Sequence, residues 1–229
     1  PGRPAATLVL KALAALADRP PPASAGERRE LWEWAGVVSD ELSCDVLTLG
    51  LVPEGGGPVG DALRSLAAAG EPVRLTLRQL AALGPAFPAG LRVRVCENPV
   101  VVAAAADRWG PAARPLVCVG GQPSQAARRL LGDLVTRGAR LLYHGDFDWP
   151  GLRIASGLLE SLPFTPWRFG AADYRRALAA GAEGPPLAGE PVPVGWDADL
   201  PAAMAAAGVA VEEEAVLDEL VGDLGPDTL

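Results

Sequence analysis

The chain has 229 residues, enough for one large domain or a smaller one with appendages. Its 49% hydrophobic and 21% charged residues are ordinary for a globular protein, and no run of about 18 apolar residues escapes a charge or a Pro/Gly break, so no transmembrane helix is expected. The net charge of −8 speaks against nucleic-acid binding by the whole surface, but residues 89–176 hold 12 arginines against 7 acids, whereas 177–229 hold 11 acids and no Lys or Arg.

The chain opens at Pro1 and its only methionine is Met204, which reads as a piece of a longer protein. Residues 5–18 (AATLVLKALAALAD) predict an apolar helix stopped by Arg19-Pro20-Pro21-Pro22; an acidic end and the lack of a clear cleavage site argue against a signal peptide. A second helix is expected through ERRELWEWAGVVSDEL, capped by Ser24 or Gly26, with Leu31, Trp34, Val37 and Val38 on one face. DVLTLGL (45–51) reads as a short strand, 53–58 as a loop and 59–69 as a helix. GEPVRLTLRQLAAL then predicts a brief strand entering a helix capped by Thr76.

From residue 91 the rhythm is regular. LRVRVCE, RPLVCVGG and ARLLYHGDFD predict strands, each followed by a helix: one with Pro99 in its first turn, one opened by Pro123-Ser124 and closed by Gly138, one opened by Pro150. Repeated strand-helix units predict an α/β fold, a parallel sheet flanked by helices with right-handed crossovers. Residues 181–196 (GAEGPPLAGEPVPVGW) are rich in Pro and Gly and read as a loop, and two helical stretches follow, LPAAMAAAG and the acidic EEEAVLDELVGDL. The expected organisation is an N-terminal α/β extension (1–88), a core (89–185) and an acidic helical tail (186–229).

In open parallel sheets functional groups collect beyond the carboxyl ends of strands. Glu97, Gly120-Gly121 and the pair Asp146 and Asp148 all fall there. Three hard oxygen ligands suit Mg²⁺, with Mn²⁺ as an alternative, since Mg²⁺ takes a few carboxylates and keeps waters for phosphate oxygens. In extended chain Asp146 and Asp148 face one way and Phe147 the other, into packing. Pro150 and Gly151 turn the chain into a helix whose amino end favours anions, with Arg153 one turn in.

Cys96-Glu97-Asn98-Pro99, Gly121-Gln122-Pro123-Ser124 and Gly145-Asp146-Phe147-Asp148-Trp149-Pro150-Gly151-Leu152-Arg153-Ile154 together resemble the Toprim fold of the topoisomerase VI A subunit and its relatives in meiotic break formation. There a strand-terminal Glu and a Gly-Pro turn precede Asp-x-Asp-x-x-Gly. More closely, ENP, GQPS and YHGDFDWPGLRIA look like the C-terminal Toprim-like domain of an uncharacterised bacterial family associated with Wadjet anti-plasmid operons, a likeness that covers most of residues 30–229. The resemblance implies a cytoplasmic, Mg²⁺-dependent DNA endonuclease of a defence complex, working with an SMC-type motor and other subunits and forming a homodimer. Glu97, Asp146 and Asp148 would be its metal and catalytic residues, and Gly121 and Gly151 its turn glycines. Topoisomerase VI-type enzymes attack with a tyrosine on an upstream winged-helix module; this chain has only Tyr143 and Tyr174, neither matching, so hydrolysis by water is the inference.

Each feature also has a plainer reading. A DxD at a strand end is often a capping or turn pair. Arg128, Arg129 and Arg153 are candidate DNA-phosphate contacts, yet Arg128, Arg129, Arg137 and Arg140 also suit a solvated helix face. His144 is expected to pack within its strand, and the six tryptophans to pack rather than stack on bases. Glu212, Glu213 and Glu214 read as the polar face of a helix, and the likeness of the tail to the family's implies as their alternative a contribution to the metal site or to a partner contact. Cys44, Cys96 and Cys118, widely spaced and without a CxxC pair, read as free thiols. A haloacid-dehalogenase-type phosphohydrolase would need a lysine downstream of its DxD, but Lys11, the sole lysine, lies upstream. A non-catalytic Toprim module assembling the same complex is the remaining alternative.

Overall fold

A computed structural model describes residues 4–23, 25–36, 41–84 and 86–226. The chain forms two compact units, Pro1–Glu41 and Leu42–Leu229. The first is a helix pair, α1 (Pro4–Leu16) and α2 (Ala25–Trp34), in which Leu10, Ala14 and Leu31 bury one another. The second predicted helix is shorter than expected: it ends at Trp34, whose side chain is exposed. Ser24, Val37 and Val38 lie outside the described residues, and Gly26 sits within α2 instead of capping it.

The second unit is an α/β layer structure, a mostly parallel sheet flanked by helices. Among the described residues six strands form one sheet: β1 (Asp45–Leu49), β2 (Val73–Thr76), β3 (Arg92–Cys96), β4 (Leu116–Cys118), β5 (Arg140–Tyr143) and β6 (Phe164–Pro166), in the order β2-β1-β4-β3-β5-β6. The strands β4, β3, β5 and β6 run parallel, whereas β1 runs antiparallel to both β2 and β4. Strands from the segment before residue 89 are therefore hydrogen-bonded into the same sheet as the predicted core. The helices are α3 (Gly57–Ala69), α4 (Leu77–Leu83), α5 (Pro99–Trp109), α6 (Gln125–Thr136), α7 (Trp149–Leu159), α8 (Ala171–Ala179), α9 (Leu200–Ala207) and α10 (Leu217–Asp223).

Local chemistry explains where these helices start. Thr76 and Gln79 form a reciprocal capping box on α4, Asn98 accepts the N–H of Val100 to cap α5, and Ser124 accepts that of Ala127 to cap α6. Pro99 and Pro150 occupy first-turn positions, where a missing N–H costs nothing. Central strands are buried on both faces, as parallel strands covered by helices must be: Val93, Val95 and Cys96 of β3 and the whole of β4 are buried. One core packs Val93, Val95, Leu130, Leu134, Tyr143, Phe147 and Trp149 together, and a second gathers Leu49, Cys96, Val101, Leu116, Leu220 and Leu224.

Two parts of the fold depart from expectation. The strand ARLLYHGDFD is regular only over Arg140–Tyr143, because His144 makes the last ladder bond to Val95 and the chain then leaves the sheet. The acidic stretch EEEAVLDELVGDL, expected as one helix, begins with a short 3₁₀ turn at Glu213–Val216 and is α-helical only over Leu217–Asp223. Leu200, Met204, Val211, Leu220, Val221 and Leu224 are buried, Trp109 Nε1 donates to Val221 O at 2.6 Å, and Arg168 grips Asp223 through two hydrogen bonds and Glu219 through one. No helix among the described residues is long and apolar enough to cross a membrane.

Candidate functional site

Strand register sets the site. β3 and β5 are parallel neighbours with Val95 opposite Tyr143, so Glu97 and Gly145 each lie two residues past that pair, just outside the sheet. A Cβ built at Gly145 would stand 3.1 Å from Glu97 Oε2, so glycine there leaves room for the glutamate. The Gly turn after β4 joins the same place: Gly120 N–H donates to Glu97 O and the Cys118 thiol meets that carbonyl at 3.3 Å. Gly121 stands with positive φ and open space around its Cα, as a backbone turn free of side-chain demands requires.

Beyond Gly145 the chain stays extended. Burial alternates through Asp146, Phe147, Asp148 and Trp149, half-buried and buried in turn, so the two carboxylates do share a side while Phe147 enters the core. The partner that holds this segment is the tail. Phe147 N–H donates to Val211 O at 2.8 Å and Val211 N–H returns the bond to Phe147 O. Asp148 then caps α7, its Oδ1 accepting the N–H of Gly151 at 2.6 Å. Gly151 is sterically required, since a Cβ there would fall 2.3 Å from Asp146 O.

The electrostatics follow from crowding three acids at half-buried positions. Burial first, then the charges of Asp146 and Asp148, push the Glu97 carboxyl up to about 7. Asp146 is pushed up to about 6, again chiefly by burial, against the lowering effect of the Glu213 N–H that donates to its Oδ1 at 2.9 Å. Glu97 Oε2 is buried without a hydrogen-bond partner. An unpartnered carboxylate oxygen beside two further acids is a donor set that suits a small hard cation. Among the described residues, however, no three His, Cys, Asp or Glu side chains are gathered into a closed metal-binding cluster, and the Asp148 carboxylate is engaged as a helix cap. Because Mg²⁺ commonly takes one or two carboxylates and completes its shell with water and phosphate oxygens, Glu97 and Asp146 fit it as a pair.

The remaining candidates are more dispersed. Arg153 is exposed, one turn into α7. Arg129 is paired with Asp133 at 2.7 Å, and Arg128 donates to Ser161, beyond the opposite end of α7 from Asp148. His144 is buried, with Nδ1 2.9 Å from Trp167 O, and burial lowers it to about 4. The tryptophans 109, 149, 167 and 196 pack or donate hydrogen bonds inside the second unit. Cys44, Cys96 and Cys118 are free thiols. A cavity of about 410 Å³ opens beside the Gly turn, lined by Arg74, Gln122, Ser124 and Gln125, but the three carboxylates do not line it.

Glu213 departs from the plainer of its two readings, and sequence did not single it out from its two neighbours. It was expected on the polar face of a helix, yet it is wholly buried, between exposed Glu212 and Glu214, in a short 3₁₀ turn. Its carboxylate accepts the main-chain N–H groups of Glu97, at 3.0 and 3.1 Å, and of Asn98. Burial is the main cause pushing its own titration well up. The alternation of Val211 and Glu213 about exposed Glu212 has a strand's period, a signal that three consecutive glutamates conceal.

Residues 1–53 match the family model described as "Protein of unknown function N-terminus (DUF3323)", and residues 73–224 match "Protein of unknown function C-terminus (DUF2399)". No curated protein matches the chain. With that second match spanning well over half its length, the strand-terminal Glu97, the Gly turn and the DxD segment included, the chain belongs to the DUF2399 family.

Proposed function

We propose that this chain is a Mg²⁺-dependent DNA endonuclease of the Toprim type, hydrolysing phosphodiester bonds as the catalytic part of a bacterial anti-plasmid complex. The observation that carries the reading is the meeting of Glu97 and Asp146 past neighbouring parallel strands, with Glu97 Oε2 buried and unpartnered. Glu97 and Asp146 would hold the cation, with Asp148 beside them. The cation, when bound, supplies Lewis-acid polarisation of the scissile phosphate. Asp148 caps α7 at Gly151, so the amino end of that helix, which favours anions, starts at the second aspartate, and exposed Arg153 lies one turn in. Residues 89–176 bring the net positive charge that DNA requires. The likeness to Wadjet nuclease subunits supports a cytoplasmic setting, a homodimer, and partners that include an SMC-type motor.

A second reading, a non-catalytic assembly module of the same complex, is favoured by two observations: Asp148 Oδ1 is engaged in the cap, and no closed three-acid cluster forms among the described residues. Plasmid cleavage with Mg²⁺ and the partner subunits separates the two. The nuclease reading expects Glu97→Gln and Asp146→Asn to abolish cleavage; full activity in either variant sinks it, and an inactive wild-type complex favours the assembly module.

A further inference from the structure

A carboxylate is almost never buried completely unless something holds it, and Glu213 is held by main chain alone. Its two oxygens accept the N–H groups of Glu97 and Asn98, while its own N–H donates to Asp146 Oδ1. A single residue therefore touches the end of β3 through its side chain and the segment past β5 through its backbone. The connection is fastened on both sides. Val211, two residues earlier, exchanges hydrogen bonds with Phe147, and Glu214, one residue later, accepts from Asn98 Nδ2 at 2.6 Å. Asn98 in turn caps α5 at Val100.

We propose that Glu213 is a positioning residue that locks Glu97 and Asp146 at a fixed separation, so that the two carboxylates take a divalent cation as a pair. The proposal rests on the reading that these two residues hold a cation. Two features point to position rather than mere anchorage. The hydrogen bonds end on the backbone of one ligand and on a carboxylate oxygen of the other. The bond to Asp146 Oδ1 also fixes how that carboxylate turns, leaving Oδ2 for the cation. Groups that hold metal ligands in place in this way commonly set metal affinity, and their removal costs about 10- to 100-fold. A carboxylate suits the task better than an amide, because both oxygens face N–H donors and a glutamine would turn an NH₂ toward one of them.

The test is Mn²⁺ binding to the full chain by titration calorimetry, alongside thermal unfolding and amide hydrogen exchange. Glu213→Ala is expected to weaken Mn²⁺ binding by about tenfold or more and to speed exchange at the Glu97 and Asn98 amides. Glu213→Gln, which keeps the volume and one acceptor, is expected to lose less. Asp218→Ala, which removes an exposed tail charge away from the site, is expected to bind as wild type does. A merely structural role would lower the unfolding temperature without moving the affinity measured well below it. The proposal falls if Glu213→Ala binds Mn²⁺ like wild type, if the two amides exchange at unchanged rates, or if Gln and Ala lose affinity equally, which would assign the effect to charge alone. A wild-type chain that binds no Mn²⁺ overturns the cation reading itself, an outcome visible before any variant is compared.

Discussion

Replacing Glu97 by glutamine is expected to stabilise the protein above neutral pH while removing the proposed cation site. In the folded chain the carboxyl holds its proton to about 7, against an ordinary value of 4.5, because burial and the charges of Asp146 and Asp148 oppose ionisation. The folded state thus binds more protons than the unfolded state between those limits. Stability is fully present below about pH 4.5 and is lost as pH rises through 7. At about 1.36 kcal/mol per pH unit the displacement corresponds to roughly 3 kcal/mol, and since the group is only half-buried, solvent screening reduces this to about 1–2 kcal/mol. For a chain of this size that is about 3–6 °C in unfolding temperature. Thermal or urea unfolding at pH 5 and pH 8 measures it. Wild type should lose stability between the two pH values, and Glu97→Gln should lose less, ending more stable than wild type at pH 8. A divalent cation should stabilise wild type far more at pH 8 than at pH 5, and Glu97→Gln at neither. A Glu97→Gln protein less stable than wild type at pH 8, or equal Mg²⁺ stabilisation at both pH values, would refute the reasoning.

Asp148 serves as a cap and as a candidate ligand, and two substitutions part the roles: Asp148→Asn should keep the cap on α7 and near-native stability but lose cleavage, while Asp148→Ala should lose cleavage and about 1 kcal/mol in denaturant unfolding. Gly151→Ala should cost about 1–3 kcal/mol, since its Cβ must displace the Asp146 carbonyl, and thermal unfolding with cleavage assays should show both losses together. Arg168→Ala should release the grip on Asp223 and Glu219, so that residues 217–223 exchange amide hydrogens faster, with stability lowered by about 1 kcal/mol after allowance for the exposure of these groups.

Much of the fold was legible because its signals are local. Proline at helix starts, Thr76 and Ser124 at caps, and the alternation of apolar runs with amphipathic stretches are read within a few residues, and the structure has both caps and both prolines at those places. The carboxylates were legible for a similar reason. Strand ends in a parallel sheet are where side chains leave the core, and Glu97 and Asp146 follow apolar strands directly.

What remained hidden depends on contacts between distant residues. Nothing near Asp45 announces that β1 runs antiparallel beside β4, because an apolar strand does not encode its partner's direction. Nor does VEEEAV reveal which glutamate is buried; that is decided by two N–H groups more than a hundred residues away, left unpaired where β3 ends. Sequence alone therefore determined the alternating α/β layers, the helix starts marked by Pro99, Ser124 and Pro150, and the acids at the strand ends. Tertiary structure alone decided the strand order, the enclosure of the acidic tail and the hold of Glu213 on the carboxylates, because buried polar groups take whichever partner the packing of remote segments supplies.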